Sequence, residues 1–237
     1  MSNRLQALRT SVSSLTELVD ALDGVDLRRP AYPTEWTVAD TLSHLGSGAV
    51  IMAAALDSAL ARTPLAADFA SGVWDEWNAK SPEAQAGDLA AADRAFLEAI
   101  EAVGADDAAV LRIPMGGHDI DFATFTQHRL DEHTLHLWDV RVAFDPAARL
   151  LEDAVPAVLD GLGSAAGMSG EPIPDERTVI VHTFDPPRTL RLELGPDAVV
   201  VEPEPRPDPG LEELHLGAEA FIRLVYGRMD VDHTPPG

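Results

Sequence analysis

Two short segments, far apart in the chain, contain the residues best suited to hold a metal ion. Residues 36–45 have the sequence WTVADTLSHL and contribute His44. Residues 129–139 have the sequence RLDEHTLHLWD and contribute Glu132 and His136. Two imidazoles and one carboxylate could bind a divalent ion and leave a coordination position open, which distinguishes catalytic zinc sites from structural ones. The chain is therefore predicted to be an enzyme.

The second segment is predicted to present both of its ligands on one face of a helix. Glu132 and His136 are four residues apart, which places their Cβ atoms about 6 Å apart. His44 would come from a facing helix, as ligands in helical bundles do. Imidazole and carboxylate suit Zn²⁺ but would also accept Fe²⁺, Ni²⁺ or Mn²⁺. Arg129 could form an ordinary helix salt bridge with Glu132 or bind a substrate carboxylate.

Other histidines compete for the role of third ligand. His128 lies on the same helical stripe as Glu132 and His136, but two helical turns, about 12 Å, separate it from His136, so His44 is preferred. His133 lies about 100° around the helix from Glu132 and is predicted to be exposed. The alternative to a metal site is that Glu132 and His136 are four residues apart by chance. In that case the histidines and Glu132 would have surface or capping roles. Sequence alone identifies no partner for four histidines: His118, His182, His215 and His233.

Two carboxylates lie close enough in sequence to orient a ligand imidazole. Asp40 lies one helical turn before His44, and Asp139 follows His136 by three residues. Asp40 also occupies the third helical position after Thr37, which is the pattern of a capping box. Capping is therefore the preferred role for Asp40, and Asp139 is the remaining candidate for orienting a ligand.

Charge and composition restrict the class of partner. Among 237 residues, 40 are acidic and 17 basic, which gives a formal charge of −23. This surface would repel nucleic acids and anionic membranes. No apolar run approaches the roughly 18 residues of a membrane span, and the N-terminus does not resemble a signal peptide. A cytoplasmic protein, monomeric or homodimeric, is expected.

The chain contains no cysteine. Disulfides, thiolate metal ligands and a cysteine nucleophile are therefore excluded. A metal ion must be bound by nitrogen and oxygen ligands, and any thiol chemistry requires a thiol supplied from outside.

Hydrophobic periodicity predicts an α+β chain of two domains, residues 1–146 and 147–237. The first domain is predicted to be a four-helix bundle, with a loop that can include one helical turn over residues 63–87 and a loop over residues 104–120. Its helices are predicted over residues 5–22, 38–60, 88–103 and 123–144. In the second domain, helices are predicted over 155–166 and 217–225, a loop over 203–209, and strands over 178–184, 189–194 and 198–202.

On these residues the chain resembles the mycothiol-dependent maleylpyruvate isomerase family, within the broader DinB-like metalloenzymes. The matching motifs are W-T-x-x-D-x-x-x-H-L at 36–45 and R-x-x-E-x-x-x-H-x-W-D at 129–139, with Trp77-Asn78 and the segment LVYGR at 224–228 also similar. The resemblance implies a DinB-like four-helix domain that binds zinc, followed by a smaller α+β domain similar to sterol-carrier folds.

The resemblance also implies roles for individual residues. The zinc ligands would be His44, Glu132 and His136. Arg228 would be an active-site cation, although a positive charge interacting with a helix C-terminus is an equal alternative.

The family's thiol cofactor is mycothiol, a low-molecular-weight thiol of actinobacteria. Isomerisation would proceed by thiolate addition to an activated double bond, rotation and elimination. Transfer of the thiol to a small electrophilic substrate needs the same first step. The leading hypothesis is thus a zinc-dependent, mycothiol-using isomerase or S-transferase. The alternatives are a thiol-independent metal-dependent hydrolase and a non-catalytic protein that binds small molecules.

Overall fold

The computed structural model describes residues 3–32 and 35–234 of the chain. The chain divides into two compact units, residues 1–148 and 149–237. Helices dominate the first unit, and the second combines helices with a four-stranded sheet. The predicted α+β fold class is therefore confirmed. The predicted division into a DinB-like metal-binding domain over 1–146 and an α+β domain over 147–237 stays a prediction.

The first unit is built around a four-helix bundle. Its long helices contact one another in the pairs α1–α4, α1–α6, α2–α4 and α2–α6. The bundle helices are α1 (Asn3–Val19), α2 (Val38–Ala61), α4 (Pro82–Ala102) and α6 (Phe122–Val142). The remaining elements of this unit are a 3-10 turn (Asp26–Arg28), α3 (Phe69–Asn78), α5 (Ala105–Val110), β1 (Arg112–Met115) and β2 (His118–Asp121).

Two segments that were predicted as loops are structured. Residues 63–87 contain all of α3 and the first six residues of α4, which begins with Ser81 as N-cap and Pro82 inside the first turn. This proline favours a helix start, although in sequence it resembles a loop signal. Residues 104–120 contain α5 and a hairpin that turns at Gly116 and Gly117, where φ is 59° and 84°. Glycine adopts such positive φ values without strain.

Helix α2 begins at a capping box and contributes to the core. The Asp40 amide donates to Thr37 Oγ1 over 3.1 Å, and the Thr37 amide donates to Asp40 Oδ2 over 2.9 Å. Helix α2 is long and apolar enough to cross a membrane. Uninterrupted apolar runs in the sequence do not reveal this, because polar residues interrupt the helix. Leu42, Leu45 and Leu56 are nevertheless fully buried, so α2 is a core helix of the bundle.

A buried ion pair connects α4 to α6. Arg129 Nη2 donates to Asp93 Oδ1, and His133 Nε2 lies 3.0 Å from Asp93 Oδ2. His133 Nδ1 lies 2.8 Å from Ser11 Oγ on α1. All four side chains are at most 2% exposed. The prediction of an exposed His133 is therefore wrong. Arg129 pairs with Asp93 of α4 and not with Glu132 of its own helix. Spacing along α6 could not reveal either result, because Asp93 and Ser11 lie on other helices.

The second unit contains one mixed sheet and two helices. Strand order is β5–β4–β3–β6, with antiparallel pairs except for β3 and β6, which are parallel. The sequence pattern does not predict strand β6, because the alternation of Leu214 and Leu216 with Glu213 and His215 is only four residues long. The elements are α7 (Val155–Ser169), β3 (Arg177–Phe184), β4 (Arg188–Leu194), β5 (Val199–Pro203), β6 (Glu212–Gly217) and α8 (Ala218–Val225).

A close approach of α3 to α2 gives a first testable prediction. A Cβ at Gly46 would lie 2.2 Å from two ring carbons of the buried Trp77. We expect Gly46→Ala to lower the free energy of unfolding by about 1–3 kcal/mol, as overpacking does. Gly87→Ala in α4 is the matched control, since nothing lies within 4 Å of its Cβ position, and it should stabilise by about 0.5–1 kcal/mol. Urea denaturation measures both, and equal effects would contradict the prediction.

The Asp93 ion pair predicts a pH-dependent stability. Burial raises the pKa of Asp93, but the charges of His133 and Arg129 outweigh it and hold that pKa below its ordinary value. The stabilisation is therefore complete above the unfolded pKa of about 3.9 and is lost as pH falls through the lower folded value.

Asp93→Asn should reduce the free energy of unfolding by about 3–5 kcal/mol at pH 7, because it leaves Arg129 buried without its counter-charge. The difference from wild type should shrink as urea titrations are moved below about pH 3.9. Asp88→Asn on the same helix is the control, since the Asp88 side chain is 57% exposed in its ion pair with Lys80 and surface pairs contribute little. A constant difference at every pH would argue against this account.

Candidate metal centre

Three side chains from two helices converge in the first unit. His44 projects from α2, and Glu132 and His136 project from α6. His44 Nε2 lies 2.8 Å from Glu132 Oε2, and His136 Nε2 lies 3.5 Å from the same oxygen. Each residue offers a ligand atom within 4.8 Å of the other two. Ligand atoms around a tetrahedral zinc ion are about 3.4 Å apart, given bonds of about 2.1 Å, so the three atoms suit one ion.

Helix starts and the buried ion pair together position these side chains. The capping box at Thr37 sets the start of α2, so His44 lies in its second turn. Helix α6 begins after Asp121, whose Oδ1 accepts from the Thr124 amide over 2.7 Å. The contact between Arg129 and Asp93 then holds the rotation of α6. Helix start and rotation together decide which way each ligand points.

The cluster is open on one side. The His136 side chain is 11% exposed, whereas those of His44 and Glu132 are 38% and 46% exposed. An ion held here would keep contact with solvent, as a catalytic ion does and a structural ion does not.

A buried carboxylate orients His136. Asp139 Oδ2 lies 2.7 Å from His136 Nδ1, and Asp139 is fully buried. This hydrogen bond places the proton on Nδ1 and leaves the Nε2 lone pair directed towards Glu132. Burial lowers the pKa of His136, but the hydrogen bonds with Asp139 and Glu132 outweigh it and raise the pKa above its ordinary value. With an ion bound, the Asp139 carboxylate would hold the proton on Nδ1 and increase the basicity of Nε2 as a ligand.

Glu132 is the anionic member of the cluster. Burial raises its pKa, but hydrogen bonds with His136 and His44, together with their charges, hold the pKa well below its ordinary value. Glu132 is thus ionised at neutral pH. A carboxylate between two imidazoles supplies the nitrogen and oxygen donors that Zn²⁺ accepts.

Trp36 forms an aromatic wall beside the ligands. Its ring centroid lies 5.2 Å from that of His44 and 6.0 Å from that of His136. The two imidazoles meet edge to face at 4.7 Å. Trp36 belongs to the first motif, but no site role was predicted for it, because ring contacts between helices cannot be inferred from spacing.

The other predicted site residues lie elsewhere. Asp40 is engaged with Thr37 in the α2 cap, and His128 is not part of the three-residue cluster. Arg228 belongs to the second unit, just after α8, where its guanidinium donates to the Tyr226 carbonyl over 3.0 Å. That contact matches the alternative of a cation at a helix C-terminus, and an active-site role for Arg228 stays a prediction.

Comparisons with known proteins agree with this architecture. The sequence matches the family described as mycothiol maleylpyruvate isomerase N-terminal domain over residues 8–141. A comparison with curated proteins gives no match.

Two solved structures share the fold. A histidine-to-alanine mutant of the mycothiol-dependent maleylpyruvate isomerase aligns with 12% sequence identity and a TM-score of 0.68. The mycothiol-dependent maleylpyruvate isomerase itself aligns with 13% identity and a TM-score of 0.64. Each alignment covers 97% of this chain and 90% of the other chain, and at such identity it establishes the fold alone. Because the family match spans more than half of the sequence, the chain belongs to the mycothiol maleylpyruvate isomerase N-terminal domain family.

Proposed function

We propose that this protein is a zinc-dependent enzyme that uses mycothiol as cofactor or co-substrate. It would act on a small electrophile, either as an isomerase of the maleylpyruvate type or as an S-transferase. The convergence of His44, Glu132 and His136 at a solvent-open position carries the proposal. Family membership supports the choice of thiol.

The residues present fit a bound zinc ion. His44 and His136 would each contribute Nε2, and Glu132 would contribute Oε2. Asp139 fixes the protonation of His136, so that the nitrogen facing the cluster carries the lone pair. Two neutral imidazoles and one carboxylate leave a net charge of +1 on a Zn²⁺ complex, which favours an anionic additional ligand.

The absence of cysteine supports the use of an external thiol. None of the 237 residues can supply a thiolate, so the reactive sulfur would come from the co-substrate. When bound at this site, zinc would lower the pKa of a coordinated thiol and make the thiolate available at neutral pH. Trp36 would shield one side of the site from water.

The same site could activate water instead of a thiol. A divalent ion with three protein ligands and an open position generates hydroxide near neutral pH. The open side of the cluster therefore favours a thiol-independent hydrolase as the second candidate function. A non-catalytic binding protein is the third and predicts that the three ligands are dispensable.

A soluble protein is part of the proposal, because the leucines of α2 are buried within the bundle. The cytoplasmic location expected from the sequence stays a proposal.

Metal loading and thiol dependence test the proposed function together. Purified wild type, loaded with zinc, should consume maleylpyruvate or another activated alkene only when mycothiol is added. His44→Ala should lose zinc from this site and reduce turnover to background, because two ligands hold an exposed ion poorly. His118→Ala is the control, since His118 is an exposed histidine on β2 outside the cluster.

The outcomes separate the three candidate functions. Substrate hydrolysis without added thiol would establish the hydrolase. Absence of turnover in wild type, together with small-molecule binding that His44→Ala retains in full, would favour a binding protein. No thiol-dependent turnover across a broad panel of electrophiles would refute the proposal.

The orienting carboxylate gives a second prediction. Asp139→Asn should weaken zinc binding by about 10–100-fold, because the amide no longer holds His136 in its ligand form. Asp88→Asn is the matched control, since Asp88 pairs with Lys80 and lies outside the cluster, and its zinc affinity should match wild type. Competition with a chromophoric chelator measures both affinities, and circular dichroism checks the fold. Equal affinities for Asp139→Asn and wild type would show that His136 needs no such orientation.

A further inference from the structure

A second His/Glu/His cluster lies on the sheet of the second unit. His182 is on β3, and Glu213 and His215 are on β6. Glu213 and His215 are two residues apart, so they share a face of the strand. In the parallel pairing of β3 with β6, His182 is the register partner of His215. Strand period and register therefore bring all three side chains to one face of the sheet.

The three ligand atoms converge as they would around a single ion. Glu213 Oε2 lies 3.3 Å from His215 Nε2 and 3.8 Å from His182 Nε2. These distances bracket the separation of about 3.4 Å expected between tetrahedral zinc ligands. Ordinary hydrogen bonding explains this arrangement less well, because 3.8 Å is too long for a hydrogen bond from His182 to Glu213.

His182 is oriented as a metal-binding imidazole. Its Nδ1 lies 3.3 Å from Thr189 Oγ1 on the neighbouring strand β4. If Nδ1 donates to that hydroxyl, Nε2 carries the lone pair and faces the cluster. The two imidazole rings stack at 4.7 Å between centroids with an interplanar angle of 17°, so the exposed His215 ring must rotate for both in-plane lone pairs to meet at one ion.

The cluster is accessible and electrostatically suited to a cation. Side-chain exposure is 27% for His182, 45% for Glu213 and 65% for His215. Arg191, on the same face, is already paired with Glu193 at 2.9 Å and Glu202 at 3.0 Å. The chain's charge of −23 also favours the approach of cations.

We propose that His182, Glu213 and His215 form a second binding site for a divalent transition metal ion of the zinc class. The ion would join the edge strand β6 to β3, in addition to their backbone hydrogen bonds. Its function would be to stabilise the second unit, because a ligand that binds only the folded state raises stability by mass action. This proposal does not depend on the function proposed for the first unit.

Zinc titration of full-length variants tests the second site. Native mass spectrometry and calorimetry of metal-free wild type should show two zinc ions per chain. His215→Ala should lose one ion, and it removes an exposed side chain with little risk to folding. His44→Ala should lose the other ion, and His44→Ala/His215→Ala should bind none. His118→Ala, which lies in neither cluster, is the control and should retain both ions.

Thermal unfolding provides a readout specific to the sheet. Zinc should raise the Tm of His44→Ala but leave that of His44→Ala/His215→Ala unchanged. His182→Gln in the His44→Ala background is a second variant that should also abolish the rise.

The possible results separate the two sites. A zinc ion retained by His44→Ala/His215→Ala, or no zinc bound by His44→Ala, would overturn the second site. Loss of zinc in His215→Ala but not in His44→Ala would support the second site and contradict the proposed catalytic centre.

Discussion

The buried charge of Asp93 is the constraint on which the arrangement of the bundle depends. A carboxylate removed from water must be paired, and its partners Arg129 and His133 both lie on α6. Residues four apart share a helix face, so this pairing holds α6 in one rotation. In that rotation, Glu132 and His136 occupy the adjacent face, where they meet His44 of α2. Stability of the core and geometry of the candidate metal centre therefore have the same origin.

The two histidine clusters reach similar donor sets from different secondary structures. In the bundle, the i, i+4 spacing of a helix brings Glu132 next to His136, and a facing helix adds the third ligand. In the sheet, the i, i+2 spacing of a strand brings Glu213 next to His215, and register adds the third. In each cluster, one histidine uses Nδ1 for a hydrogen bond and directs Nε2 inward. The two clusters differ in the group that orients this histidine. The buried Asp139 carboxylate orients His136, and the Thr189 hydroxyl orients His182.

Sequence patterns identified the elements whose cause is local. Capping chemistry placed the start of α2 at Thr37, and alternating leucines identified β4. Elements determined by distant contacts were missed. Helix α3 depends on the burial of Trp77 against Gly46, about thirty residues earlier in the chain. Strand β6 pairs with β3, and its short alternation of Leu214 and Leu216 with Glu213 and His215 lies on residues that are exposed or half-buried.

The sequence by itself determined that Glu132 and His136 share a helix face, because helical periodicity is a property of the backbone. Together with the family motifs, it also selected His44 as the partner to expect. Only the tertiary structure decided that Arg129 and His133 are buried with Asp93, and that His182 lies opposite His215. Local spacing is encoded by neighbouring residues, whereas burial and strand register arise when segments far apart in the chain pack together.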